Sequence, residues 1–156
     1  MVINTVVNGS PVEKECNPTM RLLDFLRDVM DLKSVKEGCG EGECGSCTVL
    51  FDREAVTSCT MLAGQINGHE VTTVEGLDHF GELESLVNAF VDAGAIQCGY
   101  CTPGMLISTK ALLYKNPNPT EDEIKRALEG NLCRCTGYNK IVSAIKVVRG
   151  EANDQQ

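Results

Sequence analysis

The stretch Glu37–Cys47 reads EGCGEGECGSC and holds three cysteines and four glycines in eleven residues. Glycine has no Cβ atom, so backbone N–H groups in such a loop can approach a bound group closely. Each glycine costs roughly 0.5–1 kcal/mol relative to alanine in regular structure, so four of them in one loop need an offsetting interaction. Because the cysteines lie in the same loop, metal ligation is the interaction that the sequence predicts.

Eight of the nine cysteines fall into two groups of four. The first quartet has the spacing C-x4-C-x2-C followed by a distant cysteine, which is the plant-type [2Fe–2S] spacing. It consists of Cys39, Cys44, Cys47 and Cys59. The second quartet has the spacing C-x2-C and then C-x-C. It consists of Cys98, Cys101, Cys133 and Cys135. All eight are predicted metal ligands.

The two pairs of the second quartet stand near the starts of two predicted helices, at about Thr102 and Gly137. The partial positive charge of a helix N-terminus stabilises thiolates and lowers cysteine pKa values. We therefore expect both pairs to meet at one point between the helix ends, with lowered pKa values.

The spacing of the cysteines alone leaves two other interpretations open. Four thiolates also bind structural zinc, which would explain either quartet alone. The CxxC of Cys98 and Cys101 is also typical of a dithiol redox pair, although that leaves Cys133 and Cys135 unexplained.

Three further residues look less functional. Cys16 falls in a predicted strand and is expected to be a small buried hydrophobe. His69 and His79 lie outside any metal-ligand spacing and are expected to be surface or satisfied histidines. The chain shows no Ser/His/Asp constellation and no phosphate-binding or dinucleotide motif, so no catalytic residue is predicted.

The first half of the chain has the pattern of a small α+β domain, predicted to span residues 1–76. Asn8-Gly9 predicts a hairpin between strands 3–7 and 12–16. Thr19 is predicted to cap a helix that runs to about Met30. Three further strands are predicted at 48–51, 55–59 and 69–74.

Residues 77–150 show helical periodicity only. A first helix ends near Gly94, and a second runs from Thr102-Pro103 to Asn116-Pro117. Thr120 starts a capping box before a third helix, and a fourth ends at Gly150. Four short helices predict a four-helix bundle, followed by a flexible tail at 151–156.

Composition limits the partners and the compartment. A net charge of −8 over 156 residues argues against binding to nucleic acid or to an anionic membrane surface. The sequence offers no signal peptide and no apolar run long enough for a membrane span. With an odd number of cysteines, metal binding in the cytoplasm is a better expectation than a secreted disulfide scaffold.

Four motifs occur together in this chain: EGCGEGECGSCTV, SCTMLAGQ, QCGYCTPGM and GNLCRCTGY. With them the sequence resembles the small iron–sulfur subunit of the molybdenum hydroxylases, from about Ile3 to Val148. The resemblance implies an N-terminal ferredoxin-like β-grasp domain, a C-terminal four-helix bundle and one [2Fe–2S] cluster in each.

The resemblance also implies partner chains. These are a large subunit with a molybdopterin cofactor, where substrate is oxidised, and usually a medium subunit with FAD. Electrons would pass from molybdenum to the cluster of the second quartet, then to that of the first, and on to FAD. Gln97 would contact the pterin and Cys135 would lie beside it, although Gln97 by itself is an ordinary helix-cap or surface amide. The alternatives are a stand-alone two-cluster ferredoxin and a zinc-stabilised scaffold.

Overall fold

Five short strands form one mixed sheet in the first half of the chain. They are β1 (Val2–Val7), β2 (Ser10–Glu15), β3 (Thr48–Phe51), β4 (Glu54–Thr57) and β5 (Glu70–Thr72). The strand order is β2-β1-β5-β3-β4, in which only β1 and β5 pair in parallel. These features come from a computed structural model that describes residues 1–151.

Two-residue turns close both hairpins of the sheet. Asn8 and Gly9 have φ values of 52° and 76°, the left-handed pair that gives a hairpin its right-handed twist. Asp52 and Arg53 do the same between β3 and β4, with φ values of 48° and 69°. The predicted hairpin is confirmed, and strand ends differ from prediction by one or two residues. Cys59 lies in a 3₁₀ turn after β4 rather than in the strand.

The helix after β2 begins later than predicted. Helix α1 (Leu22–Asp24) continues as a π-helical turn over Phe25–Val29. The predicted cap at Thr19 is wrong, because its hydroxyl and its N–H both donate to Asn17 Oδ1, at 2.8 and 3.0 Å. Thr19 is thus committed to a local turn before the helix starts.

Within residues 1–151, five further helices follow the sheet. They are α2 (Val74–His79), α3 (Glu84–Asp92), α4 (Thr102–Lys115), α5 (Glu121–Ala127) and α6 (Asn139–Glu151). The last four correspond to the predicted helices, whereas α2 was not predicted because Glu75-Gly76 is typical of a turn. Helix α6 takes in the first residue of the predicted tail, and residues 152–156 lie outside the described part of the chain.

The described residues form two main hydrophobic cores and one small core between them. The first core lies between the sheet and α1, and the second lies among α3, α4, α5 and α6. The third joins Leu50 of β3, Leu77 of α2, and Ile107 and Ala111 of α4. Helix α4 therefore packs on the sheet as well as on the other helices. Within residues 1–151, no helix is long and apolar enough to cross a membrane.

Candidate metal centres

The first quartet lies in a loop whose backbone folds around sulfur atoms. Cys39 Sγ accepts from the backbone N–H groups of Glu41 at 3.4 Å, Glu43 at 3.3 Å and Cys44 at 3.4 Å. The N–H of Cys39 in turn donates to Cys44 Sγ at 3.3 Å. Such donors stabilise negative charge on the sulfurs, as the glycine content of the loop predicts.

Two glycines show why the loop carries few side chains. A Cβ atom on Gly38 would lie 2.6 Å from Cys44 Sγ. Gly45 has φ +72°, and a Cβ there would lie 2.2 Å from the carbonyl oxygen of Gly130. A side chain at either position would collide with the loop or with the helical half of the molecule.

The four cysteines of the first quartet differ in burial and in acidity. Cys39 is exposed, whereas Cys47 and Cys59 are only 2% and 5% exposed. The backbone N–H groups of Glu41, Cys44 and Glu43 lower the pKa of Cys39 to about 7. Burial, together with the adjacent Cys47 thiol, raises the pKa of Cys59 to about 11.

The cysteines of the second quartet meet in two pairs between the starts of α4 and α6. Cys98 Sγ lies 3.6 Å from Cys135 Sγ, and the Cys133 thiol is close enough to Cys101 to raise the pKa of Cys101. The predicted meeting of the two sequence pairs is thus confirmed. Cys98 has Cys135 as its direct partner rather than Cys101, so the geometry does not favour a CxxC dithiol.

The pKa of Cys133 is lowered as predicted, whereas the pKa values of Cys101 and Cys135 are raised. Burial and the neighbouring Cys133 raise the pKa of Cys101 to about 12, although Cys101 is the N-cap residue of α4. The adjacent Cys98 thiol raises the pKa of Cys135. For Cys133, burial opposes ionisation, but the hydroxyl and N–H of Thr136 outweigh it and lower the pKa. At Cys101 and Cys135, burial and neighbouring thiols therefore set the direction of the pKa shift.

Gln97 and Cys135 are both exposed at the second quartet. Gln97 is exposed and immediately precedes Cys98, which is itself exposed and paired with the exposed Cys135. The two residues that the family resemblance connects with a pterin are therefore both exposed.

The remaining residues singled out in the sequence lie away from both quartets. Cys16 is half-buried against the first core, just beyond the end of β2. His69 is exposed and pairs with Asp52, with Nδ1 2.6 Å from Oδ2, and His79 is exposed. Their predicted surface placement is confirmed. Among residues 1–151, no group of three or more Cys, His, Asp or Glu side chains is arranged around a single point as for one metal ion.

Asn131 and Tyr100 connect the two quartets, and sequence reasoning missed both. Tyr100 OH donates to the carbonyl of Glu37, and Asn131 is buried against the loop of the first quartet. Both residues lie next to or near predicted ligands in the sequence. That adjacency was the only available signal, and it says nothing about burial.

Two family models match the chain. The "2Fe-2S iron-sulfur cluster binding domain" matches residues 5–79, and the "[2Fe-2S] binding domain" matches residues 73–146. The glycine cradle and the N–H groups aimed at Cys39 Sγ fit such a group. Fold and site together define an iron–sulfur protein whose cofactors are two [2Fe–2S] clusters.

Relatives and solved structures narrow the class to one family. The chain is 53% identical to the nicotinate dehydrogenase small FeS subunit of Eubacterium barkeri, over 94% of this chain and 93% of that one. It is 45% identical to the xanthine dehydrogenase iron-sulfur-binding subunit of Escherichia coli O157:H7, over 93% and 92% of the two chains. A chain of quinoline 2-oxidoreductase from Pseudomonas putida 86 superposes with a TM-score of 0.92 at 43% identity, covering 99% of this chain and 97% of that one. The chain belongs to the family of small iron–sulfur subunits of the molybdenum hydroxylases.

Proposed function

We propose that this chain is the electron-transfer subunit of a molybdopterin-dependent hydroxylase complex, with one [2Fe–2S] cluster bound by each quartet. The observation that carries the proposal is the pairing of the sulfurs. Each iron of a [2Fe–2S] cluster takes two protein thiolates, whereas a zinc site gathers four around one ion. Cys98 Sγ lies 3.6 Å from Cys135 Sγ, and Cys44 Sγ accepts from the backbone N–H of Cys39 at 3.3 Å. The Cys47 thiol is close enough to raise the pKa of Cys59, and the Cys133 thiol is close enough to raise that of Cys101.

The chain supplies the surroundings that make these centres useful. A bound [2Fe–2S] cluster accepts and donates one electron at a time. The N–H groups of Glu41, Glu43 and Cys44 stabilise the negative charge on Cys39 Sγ, and the Thr136 hydroxyl does the same at Cys133 Sγ, at 3.2 Å. These residues tune potential and solvent access rather than react.

We infer a partner chain from the relatives, several of which are named as small subunits of dehydrogenases or hydroxylases. A large molybdopterin subunit would contact the exposed Gln97 and Cys135, and a medium FAD subunit would take electrons from the first quartet. The electron order is then molybdenum, second quartet, first quartet and FAD. A stand-alone ferredoxin is the less favoured function, because such a protein would not require the partner chain that we infer at Cys135.

The domain limits and the compartment belong to the same proposal. Residues 1–76 would form the ferredoxin-like β-grasp domain and residues 77–150 the helical domain, in line with the separate first and second cores. Helices α3 to α6 would make the four-helix bundle. A reducing cytoplasm suits a chain whose nine cysteines are free thiols.

Names of relatives also favour a substrate class for the complex. Nicotinate, xanthine, caffeine, nicotine and quinoline are the compounds in the names of five of them. All are nitrogen heterocycles, so we propose hydroxylation of a nitrogen heteroaromatic ring at the partner subunit. The purified complex should then turn over nicotinate or a purine faster than an aliphatic aldehyde, and the reverse preference would refute this substrate class.

Metal analysis and a ligand substitution test the proposed function. The native complex should contain about four iron and about four acid-labile sulfide per copy of this chain and show two EPR signals after dithionite reduction. Cys44→Ser should lower the iron to about two and remove one signal, whereas the matched control Cys16→Ser should keep both. A colourless chain containing only zinc, or full two-cluster intensity in Cys44→Ser, would contradict the proposal.

A further inference from the structure

A buried asparagine joins the loops of the two quartets. Asn131 is 4% exposed, and its Oδ1 accepts from Ser108 Oγ at 2.6 Å. Its Nδ2 donates to the carbonyl oxygen of Gly45 at 3.2 Å and lies 3.5 Å from Thr48 Oγ1. Asn131 therefore reaches from the loop of Cys133 to the loop of Cys44 and Cys47.

The backbones around Asn131 are in direct contact. A Cβ on Gly104 would lie 2.3 Å from the carbonyl oxygen of Gly45, and a Cβ on Gly45 would lie 2.2 Å from that of Gly130. Interiors packed this closely do not deform gradually. The hydrogen bonds of Asn131 thus lie where the backbones of the two halves leave no free space between them.

A backbone hydrogen bond beside Asn131 connects one ligand of each quartet. The N–H of Leu132 donates to the carbonyl oxygen of Cys44 at 2.9 Å, and Leu132 directly precedes Cys133. The route from Cys44 Sγ to Cys133 Sγ consists of covalent bonds and this one hydrogen bond. Bonded routes carry electrons better than gaps between side chains.

Leu132 cannot hold this geometry by itself, because its side chain is 55% exposed. The neighbouring Asn131 is anchored on three sides, because its polar partners lie in α4, in the loop of the first quartet and in β3. An amide bonded on both its oxygen and its nitrogen has one orientation.

We propose that Asn131 is a positioning residue for electron transfer between the two clusters, because it holds the Leu132 N–H on the Cys44 carbonyl. This inference rests on the proposed function, in that it requires a cluster in each quartet. One electron leaves the cluster of the second quartet, which is oxidised, and enters the cluster of the first, which is reduced. No proton moves and no covalent bond changes at Asn131.

The test uses the intact iron-loaded complex carrying Asn131→Ala, Ser108→Ala or Asn88→Ala. Asn88 is exposed on α3 and serves as the matched control. Two readouts apply: the spin–spin interaction between the two reduced clusters by EPR, and the rate of electron transfer between them after rapid photoreduction. Iron and sulfide content are measured in parallel.

With about four iron retained, Asn131→Ala should weaken the spin–spin interaction and slow the transfer severalfold, because the Leu132 N–H would no longer be held on the Cys44 carbonyl oxygen. Ser108→Ala, which frees Oδ1 but keeps the Nδ2 donor, should give a smaller change of the same kind. Asn88→Ala should match the wild type.

Unchanged interaction and rate in fully loaded Asn131→Ala would overturn the proposal. If Asn131→Ala fails to load iron, Ser108→Ala decides by the same two readouts, and wild-type values there overturn it. Two EPR signals and four iron in the wild type keep the proposed function intact whichever way these variants behave. Failure of this inference is therefore separate from failure of the proposed function.

Discussion

At the scale of single residues, Gly38 shows most directly how one added methyl group would disturb a predicted cluster ligand. A Cβ there would lie 2.6 Å from Cys44 Sγ and 3.3 Å from Ser46 Oγ. The backbone of Gly38 is outside the left-handed region, so its constraint is steric rather than conformational. Its side-chain-free surface is part of the pocket for the first cluster.

Gly38→Ala should displace the Cys44 sulfur, so that the first cluster is lost and the second is retained. Iron per chain should fall from about four towards about two, and one of the two EPR signals should disappear. Gly130→Ala is the matched control, because a Cβ at Gly130 meets no atom within 4 Å. Equal iron content in the two variants would contradict the steric explanation.

Residues differ in how much of their role the sequence reveals. The lack of large side chains in the loop around Cys39 was predictable, because four glycines interspersed with three cysteines in eleven residues have few other physical explanations. The role of Asn131 was not, because its partner Gly45 lies 86 positions away in the chain. A buried amide and an exposed amide look the same in a single sequence, so only the packing distinguishes Asn131 from Asn88.

At the scale of elements, two threonines predicted to cap helices behave differently. Thr120 Oγ1 accepts from the N–H of Glu123, and the Glu123 carboxylate accepts from the N–H of Thr120 at 2.7 Å. This reciprocal pair is a capping box, as predicted for α5. Thr19 has no such partner glutamate, and its turn is closed by Asn17 instead.

Thr120→Ala should destabilise the chain by about 0.5–2 kcal/mol, the usual cost of a lost N-cap. In a domain of this size that corresponds to a fall in melting temperature of roughly 2–4 °C per kcal/mol. Thermal unfolding of the iron-loaded chain by circular dichroism measures it, with Thr19→Ala as the comparison. A larger loss in Thr19→Ala than in Thr120→Ala would contradict the assignment of the caps.

Elements with strong local signals were predictable, and those decided by tertiary contacts were not. Helix α4 begins with Thr102-Pro103 and ends at Lys115, as the proline and the following Asn116-Pro117 indicate. Helix α2 is only six residues long, and Leu77 is its single fully buried apolar side chain. Because α2 places only one fully buried apolar side chain in the small shared core, its sequence shows no apolar periodicity that would predict a helix.

At the scale of the whole molecule, the small core around Ile107 joins the two halves. Ile107 is 1% exposed and packs with Leu50 of β3 and Leu77 of α2. This contact gives the sheet and the helices a common interior. We therefore expect the two halves to unfold together.

Ile107→Ala should cost about 2–5 kcal/mol, the range for large-to-small changes in cores, and should also separate the unfolding of the two halves. Ile66→Ala removes an equally buried isoleucine from the first core alone and should lower stability without that separation. The temperatures at which the two EPR signals are lost during heating distinguish the variants. Simultaneous loss of both signals in Ile107→Ala would contradict the coupling.

The close approach of Gly45 to Gly104 has a consequence for protein engineering. A chimera that grafts a foreign plant-type ferredoxin onto these helices would need glycine at the position of Gly45, because even an alanine methyl would meet the Gly130 carbonyl at 2.2 Å. The helical recipient would need glycine at position 104 for the same reason. The two modules are interchangeable only between donors that keep both glycines, however well each module folds in its parent.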